Sequence, residues 1–404
     1  MIQTALCCEF LCIAGNYSQA INLILLTRNM FFQQIPGRTD IKNYLQQTIR
    51  QHRVPHAQLF WGPEGSGALP LAMAFATELM CEQPGPEGAC GSCPSCRKNA
   101  HWAHPDVHIS FPTIGAQTKS ADVIQVWRDG FQKQPFITMA DWFALQEADN
   151  KQGGINKDEC LHMLRTLQMK SFEAAKKIWI IWGAEYLGKE GNRLLKMIEE
   201  PTPDTYMILI ADELQDLLPT IVSRCQLLKL KPYPETEIRD HLVASYQMAP
   251  DEALQIAHYA QGDMHHAIQL ASEDVRQQAP LLWLPWFQYC LQGRTAQIVE
   301  LNGSIEQLGR EKVKQWVQFG LGFLRTLLLL RKGVDITSSL SDAGQKLIQF
   351  GMQGLTEDTI IRMMEDISDL ESQVERNGQI RLLLLSRYVR WREWINLQRS
   401  VKAA

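Results

Sequence analysis

Gly62 to Leu69 is the stretch of this sequence whose residue types come closest to a reactive site. It has the glycine frame of the phosphate-binding loop G-x-x-x-x-G-K-[ST]. In that loop the glycines let backbone N–H groups face a phosphate, the lysine reaches the β and γ phosphates, and the hydroxyl holds magnesium. Here Ala68 replaces the lysine and Leu69 replaces the hydroxyl residue. The glycines that keep the frame are Gly62, Gly65 and Gly67. The sequence predicts a degenerate loop without ATP hydrolysis, and an ordinary glycine turn between a strand and a helix is the alternative.

A second group of reactive residues is a cluster of cysteines. Its members, with the spacing C-x8-C-x2-C-x2-C, are Cys81, Cys90, Cys93 and Cys96. Short C-x2-C spacings let thiolates converge on one tetrahedral ion, and four sulfurs leave no open position for a substrate. We therefore predict a structural Zn²⁺ site. Two disulfides, four free thiols and an iron–sulfur cluster are the alternatives, and disulfides fit poorly with a cytosolic protein. His101 and His104 follow the cluster, and we expect them to be solvated or to pack.

Length and composition limit the classes of protein to consider. The chain has 404 residues, of which 45% are hydrophobic and 21% charged, and its formal net charge is −4. These values suit a globular protein of two or three domains with a large core. They do not suit a stand-alone nucleic-acid binder, which needs a strongly basic field. Any contact with DNA or RNA would have to be local or shared with partners.

Neither a membrane span nor an export signal is predicted. The most apolar stretch, Phe319–Leu330, contains Arg325 and is too short to cross a bilayer. An apolar patch from Thr4 to Ala14 lacks a preceding basic residue and a clear cleavage site, so export is the less favoured interpretation. Met30 is a more natural start, which makes 1–29 a doubtful N-terminal extension. We expect a cytoplasmic protein.

The elements that would position the reactive groups alternate between strands and helices. Continuous apolar runs predict buried strands at Gln58–Trp61, Lys177–Trp182 and Tyr206–Ile210. Periodic patterns predict helices at Pro70–Met80, Lys157–Leu167 and Gly191–Glu200. Strands of this kind between helices favour a parallel sheet covered on both faces. Between these elements the pattern weakens, which we interpret as an insertion at about 114–153 with short helices at 121–131 and 141–149.

An active loop of this class also needs an acidic pair at the end of the strand 178–181, to hold magnesium and polarise the attacking water. Trp182 and Gly183 stand there instead. Glu185 is near, but it is displaced from the strand end, and we expect it to cap the following helix or to be solvated. A third element of hydrolysis is therefore missing, after the lysine and the hydroxyl.

Several stretches together resemble the clamp-loader branch of AAA+ proteins, over about residues 30–275. They are His56–Phe60 before the phosphate loop, the cysteine cluster, Asn192–Pro201 and Leu217–Cys225. The resemblance implies an α/β P-loop AAA+ domain with a parallel sheet, a zinc-binding loop module, a helical lid and an all-α C-terminal collar domain. The implied bounds are 30–231 for the nucleotide-binding-like domain, with the zinc module at 81–105, then 232–275 for the lid and 276–404 for the collar.

After Pro232 the sequence is predicted to be helical. The expected helices are Glu235–Gln247, Ala249–Gln261, His265–Ser272, Leu281–Gln292, Thr295–Gly309, Lys312–Arg331, Ser339–Gly351, Thr356–Asn377 and Gln379–Lys402. Trp391 and Trp394 lie three residues apart on the last helix, among arginines. Core packing is the favoured interpretation of these tryptophans, and an interface or a nucleic-acid stack is the alternative.

In the clamp-loader family, the arginine of a Ser-Arg-Cys motif points into the ATP site of the neighbouring subunit. The resemblance implies that Arg224 acts in this way, as an arginine finger in trans. A guanidinium suits the role because it is always charged and its planar fork meets phosphate oxygens. An ion pair with a nearby acid, such as Asp212 or Glu213, is the alternative. The family's two phosphate-sensing positions are Ala211 and His265 here, and neither clamps a phosphate well.

The resemblance implies a subunit that helps to load the sliding clamp onto primed DNA during replication by bacterial DNA polymerase III, without hydrolysing ATP itself. Its implied partners are ATPase subunits of the gamma or tau type and a delta subunit in a hetero-oligomeric ring. The clamp and the primer–template DNA would be met through that complex. One rival is an autonomous residual ATPase, for which Lys170, Lys176, Lys177 or Lys189 would have to move into the loop. Another is an AAA+ adaptor in DNA repair.

Overall fold

The computed structural model describes residues 31–403 except for 116, 147–152, 272, 334–347, 349–350, 353 and 376–377. The doubtful extension at 1–29 and most of the helix expected at 339–351 lie outside the described residues. The chain divides into two units, the first ending at Pro232 and the second beginning at Tyr233. Within the described residues, no helix has both the length and the apolar character needed to cross a membrane.

The first unit is built on a parallel β-sheet. Among the described residues its strands are β1 (Ala57–Trp61), β2 (Val107–Ser110), β3 (Lys177–Trp182), β4 (Thr205–Ala211) and β5 (Gln226–Lys229). They lie in the order β2-β3-β4-β1-β5, with every neighbouring pair parallel. In register, Leu59 of β1 lies between Leu209 of β4 and Leu227 of β5. The strands predicted from apolar runs are confirmed as β1, β3 and β4, whereas β2 and β5 were not predicted.

Helices cover both faces of this sheet. They are α1 (Thr39–Arg50), α2 (Ala68–Met80), α3 (Pro94–Asn99), α4 (Ile124–Lys133), α5 (Met139–Leu145), α6 (Lys157–Gln168), α7 (Leu195–Glu199) and α8 (Pro219–Val222). Segments of 3₁₀-helix lie at Phe32–Gln34, Ser120–Val123, Ala184–Leu194 and Leu214–Asp216. Successive residues of β3 face opposite ways, because Ile180 belongs to the core cluster around α2 and Ile181 to the cluster around α6. This alternation explains the continuous apolar run of the strand.

Helix α2 begins directly after the glycine loop. Gly67 precedes it with a φ of 84°, and the helix starts at Ala68, two residues before the predicted start. Pro70 lies in the first turn, where the N–H that proline lacks would be unpaired anyway. All 13 residues of α2 are buried. The phosphate loop is therefore anchored to a helix that runs through the core.

The predicted insertion is part of the core. It contains α4 and α5, which lie close to the helices expected at 121–131 and 141–149. Trp127 and Trp142 are buried and pack on Phe111, with ring centroids 5.6 Å and 4.8 Å from that of the phenylalanine. These side chains belong to the same core cluster as α2. The insertion therefore packs on the part of the core that carries the phosphate loop.

The second unit is all-α in its described residues. Its helices are α9 (Glu235–Tyr246), α10 (Pro250–Ala260), α11 (Met264–Ala271), α12 (Glu273–Gln292), α13 (Thr295–Glu306), α14 (Arg310–Arg331), α15 (Glu357–Glu375) and α16 (Ile380–Ala403). Trp391 packs against Trp283 and Trp286 in its core, and its indole N–H donates to Asp366 at 2.9 Å. Core packing is confirmed for Trp391. The division of this unit into a lid and a collar stays a prediction.

Candidate functional site

The glycines of the phosphate loop are required by the turn that joins β1 to α2. Gly62 has no room for a side chain, because a Cβ atom there would lie 2.1 Å from the carbonyl oxygen of Leu230. Gly65 and Gly67 have positive φ angles of 69° and 84°, in a region that suits glycine. The order of strand, glycine loop and helix is confirmed. The turn accounts for the glycines whether or not a phosphate binds.

The space in front of the loop is small and covered. The cavity lined by residues 63–70 has a volume of about 40 Å³, whereas small-molecule sites usually have about 300–1,000 Å³. Residues 136–139 of the insertion, Trp182, Ile210 and Asp212 line the rest of the cavity. The backbone N–H of Met139 donates to Oε1 of Glu64 at 3.3 Å, which ties the insertion to the loop. This arrangement leaves little enclosed space directly in front of the loop.

Acidic side chains gather beside the same loop. Burial, reinforced by the neighbouring carboxylates, raises the pKa of Asp212 to about 7. Burial likewise raises the pKa of Glu185 to about 7, although hydrogen bonds from the backbone N–H groups of Glu185 and Asp212 oppose the rise. The negative charge of Glu64 contributes to both shifts. The expectation that Glu185 is solvated is wrong, because its Oε2 atom is buried and its carboxylate accepts the N–H of Asp212 at the end of β4.

Arg224 lies two residues after α8, and 35% of its side chain is exposed. Its Nε–H donates to Oε1 of Glu199 at 2.6 Å. Its Nη1 group donates to the carbonyl of Thr220 at 3.0 Å and to the hydroxyl of Ser223 at 3.2 Å. A guanidinium has five N–H donors. Both donors of Nη2 are therefore left without a partner among the described residues.

The alternative interpretation of Arg224, an ion pair within the chain, is realised with a different acid. Glu199 is the last residue of α7, and neither Asp212 nor Glu213 pairs with the arginine. The side chain of Glu199 is 47% exposed, and exposed pairs of this kind contribute only about 0.2–1 kcal/mol. The contact therefore orients the arginine without preventing it from meeting a second anion.

The end of α7 that carries Glu199 is fixed by packing and by a hydrogen bond. Ile198 is buried in the same core cluster as Ile221 of α8. The Ile198 carbonyl lies 2.7 Å from Nε2 of His56, which donates to it, since a carbonyl only accepts. His56 comes directly before β1. The three stretches that carry the family resemblance outside the cysteine cluster therefore meet around Arg224.

The cysteines of the predicted metal site come together. The sulfur atoms of Cys81, Cys90, Cys93 and Cys96 all lie within 4.8 Å of one another. All four are free thiols, so the structure does not contain the two disulfides that were an alternative. Four sulfurs about 2.3 Å from a tetrahedral zinc ion lie roughly 3.8 Å apart. The set therefore fits a single tetrahedral metal ion.

Backbone N–H groups within the module point at the sulfur atoms. Cys90, Cys93 and Cys96 donate to the sulfurs of Cys81, Cys90 and Cys93, at 3.2, 3.3 and 3.4 Å respectively. Burial raises the pKa of Cys81 and Cys96. The pKa of Cys90 is lowered to about 6 against the effect of burial, by hydrogen bonds from neighbouring backbone and side-chain groups. A divalent cation would favour the thiolate form of all four.

The histidines that follow the cysteines are not part of the metal cluster. His104 is buried, and its Nδ1 accepts the N–H of Asp106 at 3.1 Å. Its Nε2 lies 3.3 Å from the hydroxyl of Ser95. His101 is exposed. The expectation that these residues are solvated or pack is confirmed.

The sequence of this chain is similar to those of several known proteins. Residues 37–234 match the family described as DNA polymerase III, delta subunit. The DNA polymerase III subunit delta' of Bacillus subtilis strain 168 is 27% identical over 85% of this chain and 94% of its own length. The subunit delta' of Haemophilus influenzae is 28% identical over 78% of this chain and 83% of its own length. By these matches the chain is similar to the delta-prime subunits of DNA polymerase III.

The chain also matches another kind of DNA polymerase III subunit. The DNA polymerase III subunit tau of Bacillus subtilis is 26% identical to this chain over 60% of its length, and the match covers 38% of tau. The segment matched to the family contains the phosphate loop, the cysteine module and the residues around Arg224. His265, in α11, lies beyond that segment.

Sequence reasoning missed two residues of the candidate site. Arg38 is buried with a φ of 57°, and its Nη2 donates to the carbonyls of Ser66 in the phosphate loop and of Lys231, at 2.7 and 2.5 Å. No motif marks an arginine that binds backbone carbonyls, so no sequence signal was available. Glu199 lies inside a stretch that already carried the family resemblance, and its acidic character at a helix end was the available signal.

Proposed function

We propose that this chain is the delta-prime-type subunit of a DNA polymerase III clamp loader and helps to load the sliding clamp onto primed DNA. In this proposal the chain does not hydrolyse ATP. Arg224 instead reaches the ATP that is held by a neighbouring subunit of the tau or gamma type, the class to which other relatives belong. A delta subunit completes the hetero-oligomeric ring. The observation that carries the proposal is a contrast between two sites. The phosphate loop lacks its lysine and its hydroxyl residue and faces only a small cavity, whereas Arg224 is an exposed arginine with unused N–H donors among the described residues.

The loss of hydrolysis is supported by three separate features of the loop. Ala68 and Leu69 supply neither a cation for the phosphates nor a hydroxyl for magnesium. The cavity in front of the loop, of about 40 Å³, is far smaller than an ordinary small-molecule site. The carboxylates of Glu185 and Asp212 would repel a triphosphate that approached the loop without a metal ion. Each feature opposes binding or hydrolysis on its own.

The role of Arg224 is supported by the direction of its contacts. Three donors of the guanidinium are held by its own chain, and the two donors of Nη2 are unused among the described residues. A phosphate oxygen is a suitable acceptor for such donors, because a charge-assisted hydrogen bond is stronger than a neutral one. Arginines that act in trans on a neighbour's nucleotide change the rate by about 10³–10⁵.

Two of the four lysines that a residual ATPase could use, Lys176 and Lys177, are bound far from the phosphate loop. Lys177 is the first residue of β3 and donates to the carbonyl of Thr166 at 2.9 Å. Lys176 donates to the carbonyl of Leu79 at 3.0 Å. Both lie at the amino end of a parallel sheet, whereas the phosphate loop follows the carboxyl end of β1. Neither lysine can replace the missing one without displacing β3.

The cysteine module has a structural role in this proposal, with Zn²⁺ bound by Cys81, Cys90, Cys93 and Cys96. Cys81 directly follows α2, and Cys93 caps the start of α3. The ion would link these helix ends and so brace the helix that begins at the phosphate loop. Four thiolates leave it no position for a substrate.

The proposal is tested by reconstituting the clamp loader with Arg224→Ala in this chain. We expect the DNA-stimulated ATPase activity of the complex to fall by at least about ten-fold, a conservative fraction of what trans-acting arginines contribute. Arg193→Ala is the matched control, because Arg193 is an exposed arginine of the same unit that also pairs with a glutamate, Glu190, at 2.6 Å. Thermal unfolding of the isolated chain checks that neither substitution disturbs the fold. Equal ATPase activity of the two variants would refute the role of Arg224.

A further inference from the structure

The stretch Asn192–Pro201 carries the family resemblance, but the proposed function gives it no task. Most of its apolar residues pack in the core: Leu194, Met197 and Ile198 are buried with α6 and α8. Glu199 and Glu200, at its end, are both exposed. Glu199 forms an ion pair with Arg224, and no ion pair involves Glu200 among the described residues. Two adjacent glutamates therefore have different structural settings.

The contact between Glu199 and Arg224 holds one side of the guanidinium. Glu199 accepts from Nε, while the Thr220 carbonyl and the Ser223 hydroxyl accept from Nη1. These acceptors come from α7 and from the segment that includes α8, so the plane of the guanidinium is fixed from two elements. Nη2, at the far end of the side chain, is the guanidinium nitrogen whose two donors have no acceptor among the described residues. An anion that approaches Arg224 can therefore bind Nη2 without displacing Glu199.

We propose that Glu199 is a positioning residue, which orients Arg224 so that Nη2 is available to a phosphate oxygen of the nucleotide held by a neighbouring subunit. This inference rests on the proposed function of Arg224. An arginine side chain loses much conformational freedom when it is fixed. A carboxylate that fixes it in advance removes part of this cost from the step in which the neighbour's nucleotide reacts. In this role Glu199 does not itself touch the nucleotide.

The short helix that ends at Glu199 is anchored by His56, directly before β1, as well as by its packing in the core. The carbonyl of Ile198, the preceding residue, accepts a hydrogen bond from His56 at 2.7 Å. A helix of five residues has few internal hydrogen bonds, so its last residue would otherwise be poorly fixed. With the bond to His56, Glu199 has a defined position next to Arg224.

The test is Glu199→Gln in the reconstituted clamp loader, with Glu200→Gln as the matched control. Exposed ion pairs contribute little, so we expect kcat of the DNA-stimulated ATPase to fall by about two- to five-fold with an unchanged KM. Glu200→Gln should leave both constants unchanged. In a complex that already carries Arg224→Ala, Glu199→Gln should have no further effect, because Glu199 acts only through the arginine.

The outcomes separate this inference from the proposed function. If Arg224→Ala lowers the activity but Glu199→Gln behaves like Glu200→Gln, the inference is wrong and the function of Arg224 stands. A rise in kcat for Glu199→Gln would mean that the carboxylate masks the arginine, and it also overturns the positioning role. So would a loss that persists in the presence of Arg224→Ala. If Arg224→Ala itself has no effect, both proposals are wrong.

Discussion

Replacing Asp212 with asparagine should stabilise the first unit, by an amount that grows with pH. The pKa of Asp212 is raised from 3.8 to about 7 by burial and by the charges of Glu185 and Glu64. The folded unit therefore binds this proton more tightly than the unfolded chain does. As the pH rises from about 4 to about 7, the unfolded chain is already ionised while the folded unit resists ionisation, so stability is lost. Above about 7 the loss is complete.

The magnitude follows from the size of the shift. A rise of about three pKa units corresponds to roughly 4 kcal/mol, at about 1.4 kcal/mol for each unit, and roughly two thirds of it develops between pH 5 and pH 8. Asp212 is partly exposed and shares its shift with Glu185, which reduces the effect. We expect the advantage of Asp212→Asn over the wild-type chain to grow by about 1–2 kcal/mol between these pH values.

The assay must report on the first unit alone, because a chain with two units does not unfold in one step. Pulse proteolysis in urea at about pH 5 and about pH 8, with peptides from residues 57–229 quantified by mass spectrometry, gives its unfolding free energy. Glu213→Gln is the control, since Glu213 is the adjacent acid but is exposed. If Asp212→Asn gains no more with pH than Glu213→Gln does, the reasoning about buried, mutually repelling carboxylates is wrong.

Two further predictions concern the loop and the cysteines. The double substitution Ala68→Lys and Leu69→Thr should not produce ATP binding, because residues 136–139, Trp182 and Asp212 would still line a small cavity in front of the loop. A titration with a fluorescent ATP analogue measures this, and binding as tight as that of an intact tau-type subunit would contradict it. The purified chain should contain about one zinc ion, and Cys96→Ser should lose it, because three thiolates bind zinc less tightly than four. Metal analysis measures both, with Cys225→Ser as the control outside the cluster, and substantially less zinc in the wild-type chain would count against the site.

The sheet could be predicted where burial alone determines the residue types. Strands β3 and β4 are covered on both faces, so their sequences are continuous apolar runs. Strand β5 is mostly exposed at the edge of the sheet, and its pattern of Gln226 to Lys229 resembles a loop. Strand β2 contains His108, whose ring stacks on Trp179 of β3 at 4.6 Å. A polar residue that is covered by a partner far along the chain has no signature in its own segment.

The sequence could predict which residues form the candidate site, but not which of them contact one another. The spacing of glycines and cysteines identified both loops, because turns and tetrahedral ligands restrict sequence locally. The cover of the phosphate loop depends on the contact between Met139 and Glu64, which are 75 residues apart. The acid that pairs with Arg224 was sought at Asp212 and Glu213, near it in sequence, and was found at Glu199 on another element. Local spacing cannot show which of several acids the tertiary structure brings to an arginine.

The proposed function has two parts, a phosphate loop that does not hydrolyse ATP and an arginine that acts on a neighbour's nucleotide. The two parts differ in how precisely the surrounding structure must be fixed. In the proposed function, the residue types of the phosphate loop, its small cavity and the neighbouring acids each oppose hydrolysis, so no single substitution should restore it. Arg224 depends on a geometry in which α7, α8 and the start of β1 must keep their relative positions. A loop that only has to turn accepts any residues that fill its space, whereas a guanidinium that must meet a neighbour's phosphate needs its support within fractions of an ångström. In the proposed function, this difference accounts for a phosphate loop that has its glycines without the lysine and the hydroxyl residue, in the same unit as an arginine that is supported by three separate stretches of the chain.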